Sequence, residues 1–146
     1  MPVRASVTIV LENAYSAWAA RDLEGTLAWF ADDVTFIIHL PPEVAPYVGE
    51  VKGKANLAPR LGAILDEFDF VEYVPLQIRA DGDACSSRIR FHYRHKATGL
   101  HYDGTMRHVC RVAGDRITRF EEFHDAERVR TFMRLVEQAR REEEGG

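Results

Sequence analysis

The stretch YDGTMRHVCRVAGDRITRFEEFHD, Tyr102–Asp125, decides the fold of this 146-residue chain. It predicts two β-strands joined by a tight turn at Gly114-Asp115, because these residue types accept the backbone angles of a short hairpin. Side chains alternate between the two faces of a strand. The hairpin is therefore expected to turn one face toward the core and the other toward solvent.

Polar side chains fall on the face of this hairpin that should be apolar. In the first strand, an inward Cys110 puts His108 inside. In the second strand, an inward Phe120 brings Glu122 and His124 to the same side. Burying two imidazoles and a carboxylate costs free energy unless the groups are paired or used. The hairpin therefore predicts a polar pocket inside the domain.

The pairing register decides which polar groups meet. A one-residue bulge at the turn sets His108 opposite Glu122. A carboxylate beside an imidazole fixes its tautomer and increases its basicity, which suits general acid–base catalysis with His108 as the acid/base and Glu122 as its partner. The same contact also fits a structural hydrogen bond. A register slip of one residue would put Arg107 and Glu121 inside instead.

The composition indicates one globular domain with a hydrophobic core, since 46% of the residues are apolar and 29% are charged. The net charge of −4 and the pI near 5.9 argue against nucleic acid or an anionic membrane as partners. No apolar run is long enough to span a bilayer, and no signal peptide is predicted. Cys85 and Cys110 form neither a metal motif nor a disulfide pattern, so we expect a cytoplasmic protein.

The apolar periodicity predicts helices, a strand, a helix, four strands and a closing helix. The predicted helices are about Ser6–Ala20, Leu23–Phe30, Leu57–Phe68 and, after an Asp125 cap, up to Arg141. The predicted strands are about Val34–Leu40, Phe70–Arg79, Cys85–His95, Leu100–Val112 and Ile117–His124. Residues 41–54 are expected to form a loop, Asn56 to cap the third helix and residues 142–146 to fray. This order predicts one α+β domain over residues 1–146, with helices on one face of a curved antiparallel sheet.

Three segments resemble the nuclear transport factor 2-like superfamily, which includes ketosteroid isomerases and SnoaL-like polyketide cyclases. They are AYSAWAARDLEGTLAWFADDVTF (Ala14–Phe36), FIIHLPPEVAPYVGEVKGKANL (Phe36–Leu57) and RHVCRVAGDRITRFEEFHD (Arg107–Asp125). The resemblance implies a cone-shaped domain with a pocket between the helices and the concave sheet face, and a homodimer through the outer sheet face. This fold hosts both enzymes and non-catalytic binders.

The catalytic groups of ketosteroid isomerases are not in their usual places. The position of the isomerase acid on the first long strand is Ile38. The position of the helix tyrosine is Ala14, with Tyr15 beside it, and the second acid falls near His108. We therefore do not transfer the isomerase activity to this chain.

Several side chains are expected to line the pocket and to favour a small hydrophobic ligand. They are Tyr15, Trp18, Ile38, Tyr93, Met106, Cys110, Phe120 and His124. Tyr93 or His124 is expected to orient the ligand, although Tyr93 and Tyr102 also fit an aromatic pair at the rim. The aromatic residues assigned to the core are Trp29, Phe36 and Phe91.

Two other chemistries were weighed against the pocket. His108, His124 and Glu122 would make a two-histidine, one-carboxylate metal set, but no motif of fixed metal spacing supports it, so no metal is predicted. Cys85 and Cys110 are expected opposite each other. They fit buried apolar fillers better than a reactive pair of Cys110 with His108.

The outer sheet face carries six arginines, which fit either an anionic ligand or a polar homodimer interface. We expect the interface, with Val109, Ile117 and Phe123 as its apolar centre. His39 is expected to point away from the pocket unless a bulge turns it inward. The outward residues are Arg88, Arg90, His92, Arg94, Arg107, Val109, Arg111, Ile117, Arg119, Glu121 and Phe123.

The sequence thus predicts a hydrophobic small-molecule pocket that needs no cofactor, because proton transfer requires only positioned side chains. One hypothesis is isomerase, cyclase or dehydratase chemistry on a hydrophobic, polyketide- or steroid-like substrate. A second is a non-catalytic small-molecule binder, which the replacement of the isomerase acid by Ile38 favours. A third is a dimeric scaffold whose interior is filled by side chains.

Overall fold

A computed structural model describes residues 6–145 as four helices and one six-stranded sheet. The helices are α1 (Val7–Ala19), α2 (Leu23–Leu27), α3 (Lys54–Glu67) and α4 (Ala126–Gly145). The strands are β1 (Phe30–His39), β2 (Gly49–Lys52), β3 (Phe68–Asp81), β4 (Ala84–His95), β5 (His101–Ala113) and β6 (Arg116–Phe123). Their order in the sheet is β2-β1-β6-β5-β4-β3. The predicted α+β class, with helices on a curved sheet, is confirmed.

One strand pair departs from the predicted antiparallel sheet. β1 and β6 run parallel, with Phe36 opposite Phe120. The two rings stack with their centroids 4.8 Å apart. Because β6 is the last strand and inserts between β1 and β5, the closing hairpin lies at the centre of the sheet rather than at its edge.

Helix α1 packs its apolar stripe on the inner face of the sheet. Ser6 caps the helix as predicted, because its hydroxyl accepts a hydrogen bond from the Ile9 N–H at 3.2 Å. Full burial of a side chain such as Leu11 stabilises the fold by roughly 1.5–3 kcal/mol. The buried residues of α1 are Val10, Leu11, Ala14, Tyr15 and Trp18.

The segment predicted as a loop over residues 41–54 contains the short strand β2. Val51 of β2 lies opposite Phe36 of β1. Gly53, with a φ of 89°, ends the strand and starts α3, a conformation that glycine adopts without strain. Asn56 is not the helix cap, which corrects the prediction: it lies inside α3 and its amide donates to the Lys52 carbonyl at 2.9 Å. Four residues are too few for alternation to reveal a strand.

Helix α2 ends earlier than predicted, because the residues that follow it pair with β6 as a strand. The helix stops at Leu27 and β1 begins at Phe30. The Ile117 N–H donates to the Trp29 carbonyl at 2.7 Å, which ties this point of the chain to β6. Phe30 is buried as expected, but as the first residue of a strand.

Helix α4 starts where the sequence predicts and runs further. The Asp125 carboxylate accepts a hydrogen bond from the Arg128 N–H at 3.3 Å. Residues 142–145, predicted to fray, continue the helix to Gly145. Gly146 lies outside the described residues. Among residues 6–145, no helix combines the length and the apolar character needed to cross a bilayer.

The closing hairpin contains the bulge that the sequence analysis required. His108 of β5 lies opposite Glu122 of β6, and the pairing then skips Thr118. Since the extra residue resets the alternation, Phe120 and Ile117 are both buried. The prediction that Ile117 lies on the outer face is therefore wrong.

Candidate functional site

A cavity of about 120 Å³ lies between the inner face of the sheet and the helices. Its walls come from α1, α3, α4, the segment between β1 and β2, and the sheet itself. All five tyrosines of the chain line it: Tyr15, Tyr47, Tyr73, Tyr93 and Tyr102. Most of the other lining side chains are apolar, so the polar groups stand out.

Four of these side chains form a continuous hydrogen-bonded chain, here called the polar tetrad. The Tyr15 hydroxyl lies 2.8 Å from Nδ1 of His108. Nε2 of His108 lies 2.9 Å from Oε1 of Glu122. Oε2 of Glu122 lies 2.7 Å from Nε2 of His124. One carboxylate therefore bridges two imidazoles, and a tyrosine closes one end.

The tetrad is assembled from both ends of the chain. Tyr15 comes from the buried stripe of α1. His108 and Glu122 are cross-strand partners in β5 and β6, and His124 follows the last residue of β6. Because Glu122 and His124 are two residues apart in an extended segment, their side chains point the same way.

The carboxyl of Glu122 is ionised in this setting. Burial by itself raises the pKa of Glu122, but electrostatic attraction to His124 and hydrogen bonds from both imidazoles outweigh burial and hold the pKa well below its usual range. An ionised carboxylate only accepts hydrogen bonds. His108 and His124 must therefore each donate an Nε2–H to Glu122.

The tautomer of His108 follows from this charge. In the neutral imidazole, Nε2 carries the proton and Nδ1 has a lone pair. Burial raises the pKa of Tyr15 well above its ordinary value, so its hydroxyl stays protonated. The Tyr15 hydroxyl therefore donates to Nδ1 of His108.

The two imidazoles differ in access. The side chain of His108 is 1% exposed, and both of its ring nitrogens are hydrogen-bonded. The side chain of His124 is 11% exposed and uses only Nε2. Within residues 6–145, Nδ1 of His124 has no hydrogen-bond partner, yet it is not among the buried unpaired atoms. Both rings line the cavity, but only His124 has a ring nitrogen that is free to contact a ligand there.

Two further tyrosines, Tyr73 and Tyr93, line the cavity. The Tyr73 ring lies 6.2 Å from the Tyr15 ring, and Tyr93 stacks on Phe70 at 4.7 Å. Burial raises the pKa of both hydroxyls, so both stay neutral donors. Tyr93 lies opposite Tyr102, so the two form a cross-strand aromatic pair.

Most of the predicted pocket residues line the cavity. They are Tyr15, Trp18, Ile38, Tyr93, Met106, Phe120 and His124, together with His108 and Glu122. Cys110 does not, which corrects the prediction. Its side chain faces inward and is fully buried. It lies opposite Phe120 and Cys85, in a part of the core that is outside the cavity.

Two lining tyrosines escaped the sequence analysis. Tyr73 follows a bulge in β3 between Phe70 and Glu72, so simple alternation assigns it to the wrong face. Tyr47 lies in the irregular segment between β1 and β2, which has no periodicity to follow. The one sequence signal for Tyr47 and Tyr73 is that each has apolar neighbours in the chain, which is typical of a buried tyrosine.

The weaker candidates of the sequence analysis lie outside the site. His39 points outward, where Nε2 lies 3.0 Å from Oε1 of Glu121 and the ring stacks on Phe123. Burial raises the thiol pKa of Cys85 and Cys110, which makes both poor nucleophiles. In the part of the chain that the structure describes, no group of His, Cys, Asp or Glu is arranged to hold a metal ion.

A second imidazole–carboxylate contact lies next to Phe68 and Phe132, which line the cavity. His95 is fully buried among aromatic rings, with Nδ1 2.9 Å from the Thr98 hydroxyl. Nε2 lies 3.4 Å from Oε1 of Glu67 and makes no hydrogen bond within residues 6–145. Burial lowers the pKa of His95 below its ordinary value, although the charge of Glu67 opposes this. Oε2 of Glu67 accepts a 3.4 Å hydrogen bond from the cavity residue Tyr47.

Comparison with known proteins identifies a family and several solved structures with a similar fold. Residues 11–120 match the SnoaL-like domain family. No curated protein matches the sequence. Among solved structures, an NTF2-like protein from Burkholderia xenovorans LB400 has 21% identity and a TM-score of 0.74, over 88% of this chain and 96% of that chain.

Two further solved structures were obtained with a bound compound. A protein with a ketosteroid isomerase-like fold from Catenulispora acidiphila DSM 44928, in complex with trimethylamine, has 15% identity and a TM-score of 0.70, over 82% of this chain and 88% of that chain. TerC, co-crystallised with polyporic acid, has 17% identity and a TM-score of 0.74, over 88% of this chain and 98% of that chain. At these identities the likeness establishes the fold alone.

Proposed function

The chain belongs to the SnoaL-like domain family, and on that premise we propose that its cavity binds a small hydrophobic ring compound on which the polar tetrad moves a proton. The observation that carries the proposal is the ionised, two-imidazole cluster in an otherwise apolar cavity. Buried titratable groups of this kind are concentrated at functional sites.

The size of the cavity limits the ligand. Its volume is about 120 Å³. An apolar cavity of about 150 Å³ is enough for a benzene ring. Sites for drug-sized ligands measure about 300–1,000 Å³. The cavity is smaller than that but is open on one side rather than enclosed. A compound of one or two rings can therefore bind with part of its surface outside, whereas a steroid is too large.

The aromatic walls and the polar tetrad would make different contributions to ligand binding and chemistry. Aromatic side chains such as Trp18, Phe36 and Phe91 offer flat apolar surface to a ring. The tetrad offers a positioned acid–base group in a site shielded from water. General acid–base catalysis of this kind typically contributes about 10²–10⁴-fold to the rate of a proton transfer. This combination suits isomerisation, cyclisation or dehydration, reactions that begin with removal of a proton.

Binding is testable with 2-naphthol, a two-ring phenol. We expect it to raise the melting temperature of the wild-type protein in a concentration-dependent way, because a ligand that binds only the folded state stabilises it. Ile38→Trp should remove this shift by filling the cavity that Ile38 lines. Differential scanning fluorimetry measures both effects.

Leu135→Trp is the matched control, because Leu135 lies on α4 and is 49% exposed. This variant should respond to 2-naphthol like the wild type. An equal shift in Ile38→Trp, or no shift in the wild type with any one- or two-ring phenol or ketone tested, would contradict the proposed cavity ligand.

Non-catalytic binding is the second candidate function. Ile38, at the position of the isomerase acid, favours it, since an apolar side chain cannot accept a proton. A ring compound that stabilises the protein and is recovered chemically unchanged after long incubation would support this alternative over turnover. The scaffold hypothesis has less support, because side chains do not fill the interior.

We also propose that two copies pair through the outer sheet face. Val109 on this face is 36% exposed. Arg88 and Arg107 lie directly opposite each other on β4 and β5, and neither forms an ion pair within residues 6–145. Like charges in this position are destabilising. Carboxylates of a second copy would relieve the repulsion.

The pairing has a direct test in sedimentation velocity. We expect the wild-type protein to sediment as a dimer and Val109→Arg to sediment as a monomer, because a further positive charge would be buried among the arginines of the interface. Leu135→Arg, which adds the same charge on α4, should remain dimeric. A wild-type monomer at micromolar concentration would rule the interface out.

A further inference from the structure

We propose that His124 is the group that exchanges a proton with the ligand, while Tyr15 and His108 act as positioning residues for Glu122. The inference rests on the proposed function and assigns its parts. It reverses the expectation from the sequence, which gave the acid/base role to His108.

His108 has no free nitrogen to offer. Nδ1 is held by Tyr15 at 2.8 Å and Nε2 by Glu122 at 2.9 Å. The ring also stacks against Tyr15 and packs on Phe120, with centroids 5.5 and 4.5 Å away. For either nitrogen of His108 to meet a ligand, a buried hydrogen bond would have to break, which leaves the Tyr15 hydroxyl or Oε1 of Glu122 without its partner.

His124 has the opposite arrangement. Glu122 holds its Nε2–H at 2.7 Å, which fixes the tautomer and leaves the lone pair on Nδ1. The ring lines the cavity and meets the edge of Phe91 at 6.0 Å. Nδ1 has no partner within the described residues, so it is the nitrogen that can receive a proton.

The charge of the cluster supports this direction of transfer. A proton taken up at Nδ1 turns His124 into an imidazolium beside the ionised Glu122. The pair is then neutral overall, whereas the cluster carries one negative charge before the transfer. Glu122 itself keeps its place because His108 holds its other oxygen. This division of labour explains why two imidazoles flank one carboxylate.

The substrate class follows from the atoms available. The proton leaves a carbon next to a ligand carbonyl, or a phenolic oxygen, and its bonding electrons stay on the ligand as an enolate or phenolate. The neutral hydroxyls of Tyr73 and Tyr93 are donors in the same cavity wall and suit the resulting oxyanion. His124 then returns the proton to a second carbon of the ligand. The net reaction is an isomerisation that leaves the protein unchanged.

The emission of bound 2-naphthol separates the two imidazoles. Its excited state is a strong acid that emits as naphtholate when a base lies beside its hydroxyl. We expect naphtholate emission from the wild-type complex, loss of it in His124→Gln, and its retention in His108→Gln. A glutamine at position 108 can still donate to Glu122 and accept from Tyr15, but neither glutamine can take up a proton.

Binding of 2-naphthol, followed by the melting temperature, tests the proposed function independently of this assignment. Naphtholate emission that persists in His124→Gln, or that disappears in His108→Gln while the probe still binds, would overturn the assignment.

A second measurement needs no variant and no ligand. Diethyl pyrocarbonate modifies accessible neutral imidazoles, and peptide mass mapping locates the modified residues. The exposed His39 and His101 and the buried His95 serve as internal positive and negative controls. We expect modification of His124 and none of His108 in the folded wild-type protein. Modification of His108 before His124 would refute the inference.

Discussion

Glu122→Ala is expected to lower the free energy of unfolding by about 3 kcal/mol at neutral pH, because each buried donor left without an acceptor costs about 1–3 kcal/mol. The substitution leaves the Nε2–H groups of His108 and His124 without their common acceptor. His108 has no access to water that could replace the lost bond. Urea denaturation followed by circular dichroism measures the loss.

Glu122→Gln separates the charge of this residue from its hydrogen bonds. The amide oxygen accepts from one imidazole, and the amide nitrogen donates to the other once that ring changes tautomer. We expect a loss of about 1 kcal/mol, the net value of a typical hydrogen bond. Equal losses in the alanine and glutamine variants would mean that the charge of Glu122, and not the hydrogen bonds that an amide can replace, stabilises the cluster.

The second large effect is a loss of stability in mild acid that depends on His95. Burial lowers the pKa of His95 in the folded state, whereas the unfolded chain has the ordinary value near 6.5. Below about pH 6.5 the unfolded state therefore binds more protons than the folded state. The free energy of unfolding should fall by up to about 1.4 kcal/mol per pH unit until the folded pKa is reached.

His95→Gln should flatten this dependence, because glutamine keeps the hydrogen bond to Thr98 and does not titrate in this range. Charges from two elements act on the imidazole: Glu67 on α3 favours its protonation, and Arg140 on α4 opposes it. Urea midpoints near pH 7.5 and near pH 5.5 give the slope. The exposed His101→Gln should keep the wild-type slope. An unchanged slope in His95→Gln would assign the acid sensitivity to other groups.

Sequence alone predicted the fold because hydrophobic alternation was strong wherever strands were long. The strands β3 to β6 and the helix α1 lie close to their predicted bounds. The contact between His108 and Glu122 was predicted for the same reason, since apolar neighbours fixed the face of each residue. Because side chains alternate strictly between the two faces, knowing the face of a few residues gives the face of every other residue in an unbroken strand.

Prediction failed where a β-bulge interrupts the alternation of side chains between the two faces of the sheet. The bulge at Thr118 turned Ile117 from the outer face to the core. A bulge in β3 hid Tyr73 from the list of cavity residues. The proposed acid/base role of His124 could not be inferred from the sequence either, because alternation gives the face of a side chain but not which nitrogen its neighbours occupy.

The parallel pairing of β1 with β6 has a consequence for biosynthesis. Tyr15 and His108 are 93 positions apart in the chain, and β6 must insert beside β1 before the tetrad can exist. Since β6 is the strand that joins β1 to β5, the two parts of the sheet cannot be connected before β6 is synthesised. Such long-range closure slows folding and exposes strand edges to misassembly. The cavity, which β1, β5 and β6 line together, is therefore complete only after this long-range pairing has formed.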